Sequence, residues 1–156
     1  MSEVVEDAPT VEVVAAAGPE LSAAQLYRVL QLRVDVFVVE QECPYPELDG
    51  RDLAPGTTHF WVAEGDEVLA CLRVLAEPDG TRRIGRVCTA AAARGRGLAA
   101  RLMTAALETA GAAVCVLDAQ TYAAGFYGRF GFVAEGEEFL EDGIPHVRMR
   151  RVPRTP

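Results

Sequence analysis

The chain has 156 residues, half of them apolar, and a formal net charge of −8. This is the length of one ordinary domain, and the negative charge argues against nucleic-acid binding, because phosphate contacts need clustered positive charge. No apolar run approaches the roughly 20 residues that a membrane-spanning helix needs. The acidic first ten residues lack the basic and then apolar pattern of a secretory signal. We therefore expect a cytoplasmic protein with no membrane association.

Residues 1–10 are predicted to form a flexible tail, and residues 11–156 a single domain that is a monomer or a homodimer. A β-branched run from Val11 predicts the first strand. The four cysteines have neither C-x-x-C nor zinc-site spacing, so we expect buried structural thiols and no metal. These cysteines are Cys43, Cys71, Cys88 and Cys115.

Ser22 and Gln25 have the spacing of a capping box, which predicts a helix that begins there and ends near Val39. Its predicted apolar face consists of Leu26, Val29, Leu30, Val34 and Phe37. The Pro-, Gly- and Asp-rich residues 43–56 then predict a loop. Its length exceeds that of most loops without a function, so it is a candidate binding loop.

Three antiparallel strands are predicted next, at residues 58–64, 68–77 and 81–89. Helical periodicity from Gly97 to about Ala110, followed by a continuous apolar run, predicts a β-α-β crossover over residues 84–119. A short helix that ends at Gly131 and a closing pair of strands complete the predicted order.

Charge is distributed unevenly along the chain. Residues 80–107 contain six arginines and no acidic residue, so this stretch carries +6 and the rest of the chain −14. Residues 40–52 and 135–142 each contain five carboxylates, and only the first of these stretches contains an arginine. The pattern favours an anionic ligand at the arginine-rich stretch and a cationic ligand near the acidic segments.

The arginine-rich stretch includes the join between a strand and the crossover helix, with Arg94, Gly95, Arg96 and Gly97 in its turn. Backbone N–H groups at a helix start bind anions, and glycine lets the backbone approach a ligand closely. A nucleoside-triphosphate loop requires a lysine, and this chain has none. The segment "GRGLAA" matches a dinucleotide-binding fingerprint with Asp118 after it, so a dinucleotide remains an alternative ligand.

The spacing of Arg94, Gly97 and Ala99 resembles the pyrophosphate motif R-x-x-G-x-A of the GCN5-related N-acetyltransferases (GNAT). A second motif of that family, N-x-x-A-x-x-x-Y-x-x-x-G-F, is similar to residues 120–132, with Gln120 in place of Asn. Residues 37–60 and 141–149 resemble the ElaA-like subgroup, whose substrate is unassigned. The resemblance implies an α/β fold with a mixed, mostly antiparallel central sheet flanked by helices.

The same resemblance implies an acetyl-CoA cosubstrate, which main-chain groups of one central strand and the pyrophosphate loop would bind. Tyr127 would protonate the departing thiolate. The implied cofactor-binding residues are Val87, Cys88, Thr89, Arg94, Gly95, Arg96, Gly97, Leu98, Ala99, Gln120 and Tyr127.

Many members of the family that the sequence resembles have a carboxylate on the central strand, but residues 84–89 contain none. The general base must then come from elsewhere, and Glu40 and His59 are the candidates. We expect direct transfer of an acetyl group to the amine of a small molecule or peptide, with a cationic acceptor favoured. The alternative is a non-catalytic acyl-CoA-binding regulatory module. The expected substrate pocket contains Phe37, Glu40, Gln41, Tyr45, His59 and His146.

Overall fold

The computed structural model describes residues 11–153, and the predicted tail at residues 1–10 lies outside them. Seven strands form one sheet: β1 (Val13–Ala17), β2 (Thr57–Glu64), β3 (Glu67–Ala76), β4 (Arg82–Thr89), β5 (Cys115–Gln120), β6 (Val133–Glu141) and β7 (Ile144–Arg151). The helices are α1 (Ala23–Arg33), extended by a π-helical segment (Val34–Glu40), α2 (Leu98–Ala110) and α3 (Ala124–Gly128). None of these helices is long and apolar enough to cross a membrane.

The strand order across the sheet is β1-β2-β3-β4-β5-β7-β6. Strands β4 and β5 are parallel, and every other neighbouring pair is antiparallel. This confirms the predicted mixed sheet with a crossover through α2. The dinucleotide-binding alternative is wrong, because that fold requires a doubly wound, mostly parallel sheet.

Helices cover both faces of the sheet. On one face, Leu102, Met103 and Ala106 of α2 pack into the larger apolar core, which includes Phe60 and Leu72 of the central strands. The opposite face packs against α1 through a smaller cluster of buried residues: Val29, Leu32, Val36, Trp61, Val68, Cys71 and Cys88. Because side chains alternate along a strand, each central strand contributes to both cores.

The N-terminus of α1 has the predicted capping box, in which the Ser22 hydroxyl and the Gln25 side chain each bond the other residue's backbone. The buried face of this helix differs from the predicted one. It contains Arg33, while the predicted Leu26, Leu30 and Val34 are only partly buried. The predicted apolar face did not include this arginine, which carboxylates of the long loop bind inside the protein.

Three arginines and three loop carboxylates form an ion network beneath α1, in which all but Arg86 and Asp49 are buried: Arg33, Arg73, Arg86, Glu47, Asp49 and Asp52. Arg33, which is 1% exposed, donates to Glu47 at 2.7 Å and to Asp52 at 2.6 Å. Arg73 of β3 donates to Asp52 at 3.0 Å and to Asp49 at 2.9 Å. The network therefore fixes the long loop to α1 and to the sheet.

The carboxylates of this loop form ion pairs within the protein. Burial raises the pKa of Asp52, but hydrogen bonds and positive charge from Arg33 and Arg73 outweigh burial and lower that pKa overall. A hydrogen bond from Arg73 likewise holds the pKa of Asp49 well below its usual range. These carboxylates are ionised and paired, so they do not supply the free negative charge for an acceptor that the sequence suggested.

We predict that Asp52→Asn lowers the free energy of unfolding by about 2 kcal/mol or more at pH 7, because it leaves buried guanidinium groups short of a counter-ion. Asp52 has a lowered pKa in the folded state. Its charge therefore stabilises the fold above the unfolded-state value near 3.9, and this contribution disappears as the pH falls through the folded-state value. The deficit of the variant should shrink below about pH 4.

Urea unfolding of both proteins between pH 7 and pH 3 measures this convergence. Asp66→Asn is the matched control, since Asp66 is an exposed carboxylate that forms none of the ion pairs found among the described residues. A deficit that stays constant down to pH 3 would show that Asp52 does not act through its charge.

Candidate functional site

The strand pair β4 and β5 separates to form the main cleft of the protein. The two strands pair only at Arg82 with Cys115 and at Arg83 with Val116. Opposite β3, a bulge at Arg86 and Val87 breaks the register of β4, and Arg86 adopts a left-handed φ of 55°. Such a conformation is costly for a residue with a side chain and clusters at functional sites.

The cleft has a volume of about 700 Å³. The π-helical extension of α1, the long loop, β3, β4, β5, α3, β7 and the β6–β7 turn all contribute to its walls. Most of the residues expected at the site are brought together along it: Phe37, Glu40, Gln41, Tyr45, Val87, Cys88, Thr89, Arg94, Ala99, Gln120, Tyr127 and His146.

One end of the cleft meets the start of α2, where backbone donors are free. Gly97 occupies the N-cap position with φ 73°, no side chain caps the helix, and its first turn contains no acidic residue. The N–H groups of Leu98 and Ala99 therefore lack intrahelical partners. Gly95, with φ 81°, shapes the preceding turn, and no heavy atom lies within 4 Å of a Cβ placed at either glycine. This end can bind an anionic phosphate.

The two arginines of the turn have different partners. Arg94 donates to both carboxylate oxygens of Glu40 at 2.6 Å, whereas Arg96 lies 3.8 Å from Glu64 on the sheet. The hydrogen bond from Arg94 lowers the pKa of Glu40. A carboxylate held in this way is a weak base, so Glu40 is better suited to controlling Arg94 than to removing a proton.

The free edge of β4 presents main-chain groups of Val87, Cys88 and Thr89 to the cleft. The Cys88 sulfur lies 3.6 Å from that of Cys71 on β3. This hydrogen bond, together with burial, raises the pKa of Cys88. The thiol is therefore protonated and poorly suited to be a nucleophile, which favours direct transfer over a covalent enzyme intermediate.

Tyr127 reaches the cleft from α3. Its ring packs edge-to-face on Phe126 and Phe132, with centroids 5.1 and 6.3 Å apart. Burial raises the pKa of Tyr127, so its hydroxyl keeps its proton at neutral pH. No hydrogen-bond partner for this hydroxyl occurs within residues 11–153. The group is thus a protonated donor on the wall of the cleft.

Two contacts cross the cleft from the segment after the π-helical turn. The amides of Gln41 and Gln120 exchange hydrogen bonds at 3.3 and 3.4 Å. The Cys43 thiol lies 3.6 Å from the carbonyl oxygen of Asp142 in the β6–β7 turn. These contacts join the segment after the π-helical extension to the end of β5 and to the β6–β7 turn.

Tyr45 lines the cleft but also takes part in loop packing. Its hydroxyl donates to the Glu47 carboxylate, and the guanidinium of Arg86 lies 5.6 Å from the centre of its ring. Burial, followed by the hydrogen bond to Glu47, raises the pKa of Tyr45. Its ring therefore forms a fixed wall of the cleft.

His59, expected in the pocket as a candidate base, does not line the cleft. This residue is 1% exposed, its Nε2 lies 2.8 Å from the carbonyl oxygen of Asp52, and it is absent from the lining of the cleft. Burial lowers the pKa of His59. It faces α1 because strand alternation places it beneath the ion network, where it supports the loop.

Several charged residues of the cleft were missed by the sequence analysis. They are Arg73, Arg83, Arg86, Asp142 and Glu141. Arg83 lies 3.4 Å from Asp118, the acid first considered as a ribose ligand. The alternation of side chains along β3 contained a signal that Arg73 is buried, since it lies two residues from Cys71 and therefore on the same face of the sheet. The bulge at Arg86 left no such signal.

Residues 25–153 match the acetyltransferase (GNAT) domain family, and the chain belongs to that family. Membership implies an acyl-CoA cosubstrate and an acyltransferase activity. Relatives include the ElaA protein of Escherichia coli, which is 43% identical over 143 residues, or 85% of this chain and 90% of ElaA. A UPF0039 protein of Mycobacterium tuberculosis is 54% identical over 136 residues, covering 85% of this chain and 87% of the relative.

Solved structures agree with this assignment. An acyl-CoA N-acyltransferase from Pseudomonas aeruginosa has a TM-score of 0.87 and 43% identity, covering 92% of this chain and all of that one. The crystal structure of Escherichia coli ElaA has a TM-score of 0.86 and 40% identity, and the match covers 91% of this chain and 99% of ElaA. The resemblance to the family and to the ElaA-like subgroup is confirmed.

We predict that Glu40→Gln strengthens CoA binding by about two- to fivefold, because the diphosphate no longer competes with a carboxylate for Arg94. Calorimetry at low salt measures the effect, and 0.5 M salt should reduce it. Asp35→Asn, on the exposed side of the same helical segment, is the matched control. Unchanged affinity combined with a 100-fold loss of turnover would instead identify Glu40 as the base.

Proposed function

We propose that this protein is an acetyl-CoA-dependent N-acetyltransferase that moves the acetyl group directly to the amine of a small molecule or peptide. The observation that carries the proposal is the uncapped start of α2 at the open end of the cleft, with Tyr127 on the wall of the same cleft. The first feature suits a diphosphate and the second a departing thiolate.

Cofactor binding would divide between two features of the chain. The N–H groups of Leu98 and Ala99, with Arg94 beside them, would bind the phosphates. Free main-chain groups at the edge of β4 would bond the amides of the pantetheine arm as an added strand does. The same edge would polarise the thioester carbonyl, which stabilises developing negative charge on its oxygen.

The acceptor would occupy the part of the cleft beneath the β6–β7 turn. Glu141 and Asp142 lie there without an arginine partner among the described residues, in contrast to the paired carboxylates of the long loop. Their charge favours a cationic acceptor. The preference for a cationic acceptor is therefore supported by the carboxylates of the β6–β7 turn and not by those of the long loop.

A non-catalytic acyl-CoA-binding module is the second candidate. Its support is that β4 contributes no carboxylate to the cleft, so a base is missing from the central strand. Thiol release from acetyl-CoA, measured across a panel of amines, separates the two functions. Tight binding of acetyl-CoA with no turnover on any amine would favour the binding module.

We predict that Gly97→Val weakens CoA binding more than Arg94→Ala does. Valine is strained at φ 73° and places methyl groups where the phosphates would meet the backbone. Arg94→Ala leaves the backbone donors in place. Calorimetry gives both affinities, and Gly65→Val, at a positive φ in the β2–β3 turn, controls for the strain alone. Equal, small losses from Gly97→Val and Arg94→Ala would mean that the phosphates bind elsewhere.

We predict that Tyr127→Phe lowers kcat by about 100-fold or more while CoA affinity and folding persist. The change keeps the ring and its contacts with Phe126 and Phe132 but removes the proton. Steady-state kinetics and calorimetry separate chemistry from binding. If KM rises and kcat is unchanged, the hydroxyl contributes only to binding and is not the acid.

A further inference from the structure

His146 occupies a position at which it can reach the reacting groups of the proposed transfer. It lies on β7, where it is the direct partner of Gln120 at the end of β5. Its side chain lines the cleft and is 11% exposed. It is the one imidazole on the cleft wall among the described residues.

The local backbone fixes which ring nitrogen of His146 carries the proton. Nδ1 lies 2.7 Å from the carbonyl oxygen of Ile144. A carbonyl oxygen only accepts hydrogen bonds, so Nδ1 must be the donor, and in the neutral ring the lone pair is then on Nε2. The ring of Phe139 stacks on the imidazole at 5.9 Å and holds its plane. The histidine is thus held as a base with Nε2 free.

A carboxylate is placed to stabilise the ring after it takes a proton. Glu141 lies 3.6 Å from Nε2 and is half exposed, so its attraction for an imidazolium is moderate. The other charged groups on this face are Asp118, which lies 3.4 Å from Arg83 and 4.0 Å from Arg148, and the turn residue Asp142.

The bases suggested by the sequence and the carboxylates of the long loop are engaged elsewhere. Glu40 is bound to Arg94 through both of its oxygens, and His59 is buried outside the cleft. The carboxylates of the long loop are paired with arginines. His146 has none of these restrictions.

We propose that His146 is the general base of the transfer, an inference that rests on the proposed acetyltransferase function. Nε2 accepts one proton from the neutral acceptor amine as the nitrogen forms its bond to the acyl carbon. The carbon–sulfur bond breaks, and the sulfur takes the electron pair together with the Tyr127 proton. The imidazolium then returns its proton to solvent, and Tyr127 regains one, so the products are an amide and a free thiol.

The first test concerns the ring itself and needs no turnover. The chain contains only two histidines, and His59 is buried away from solvent. Long-range ¹H–¹⁵N spectra of the protein labelled in histidine, with His146→Asn to assign the signals, should show His146 with its proton on Nδ1. A proton on Nε2 in the neutral ring would overturn the proposal, because that nitrogen could not act as a base.

The second test uses kinetics with acetyl-CoA and four probes: spermidine, L-phenylalanine, serotonin and a short peptide with a free N-terminus. His146→Asn keeps a donor near Nδ1 but offers no base. It should lower kcat/KM by about 100-fold or more, with the affinity for acetyl-CoA and the unfolding transition unchanged. The fall in kcat/KM toward acid pH that a general base predicts for the wild type should be absent from this variant.

Added imidazole should partly restore the rate of His146→Ala, a result that a purely structural role would not produce. Arg150→Gln, an exposed residue of the same strand outside the cleft, is the matched control and should behave as wild type. An active wild type whose His146→Asn variant keeps its rate and pH profile would overturn the base alone. A wild type that binds acetyl-CoA but transfers to no probe would overturn the proposed function, and the base with it.

Discussion

The separation of β4 from β5 after two paired positions is the constraint on which the rest of the structure depends. Backbone groups that leave a sheet ladder must find other partners, because buried and unsatisfied they are costly. Here they border an open cleft, where water or a ligand can satisfy them. The start of α2, the end of the helix that follows β1, and α3 all meet this gap. The cleft thus exists because the pairing of β4 with β5 stops, and the side chains around it determine which ligands it can bind.

A buried ion network maintains one wall of that cleft. Desolvating Arg33, Arg73, Glu47 and Asp52 is expensive, and such networks stabilise a fold less than their short distances suggest. The pairs are nevertheless specific, since the bonds of Arg33 and Arg73 to the loop carboxylates form only when the long loop follows one path. That path places Tyr45 on the cleft wall. The network thus gives a loop without regular secondary structure a defined conformation.

The sequence predicted the order of strands and helices along the chain, the capping box and the glycine turn before α2, because each depends on local patterns. It failed where the outcome depended on contacts between distant segments. The predicted apolar face of the first helix did not include Arg33, because an arginine is rarely buried unless it is paired, and its partners are carboxylates 14 and 19 residues later in the chain. His59 was expected in the cleft, and the sequence could not correct this, because one residue at the start of a strand does not reveal which face of the sheet it occupies. The hydrogen bond between His146 Nδ1 and the carbonyl oxygen of Ile144 likewise could not be predicted from the sequence.

The cations that line the cleft are all arginines, including Arg73, Arg83, Arg86 and Arg94. A guanidinium remains protonated at any physiological pH and has no free nitrogen lone pair, whereas a lysine amine near a thioester is a competing nucleophile. No side chain in this sequence carries a primary amine. An activated acyl group can therefore lie beside several positive charges in this protein without any side-chain amine that it could acylate.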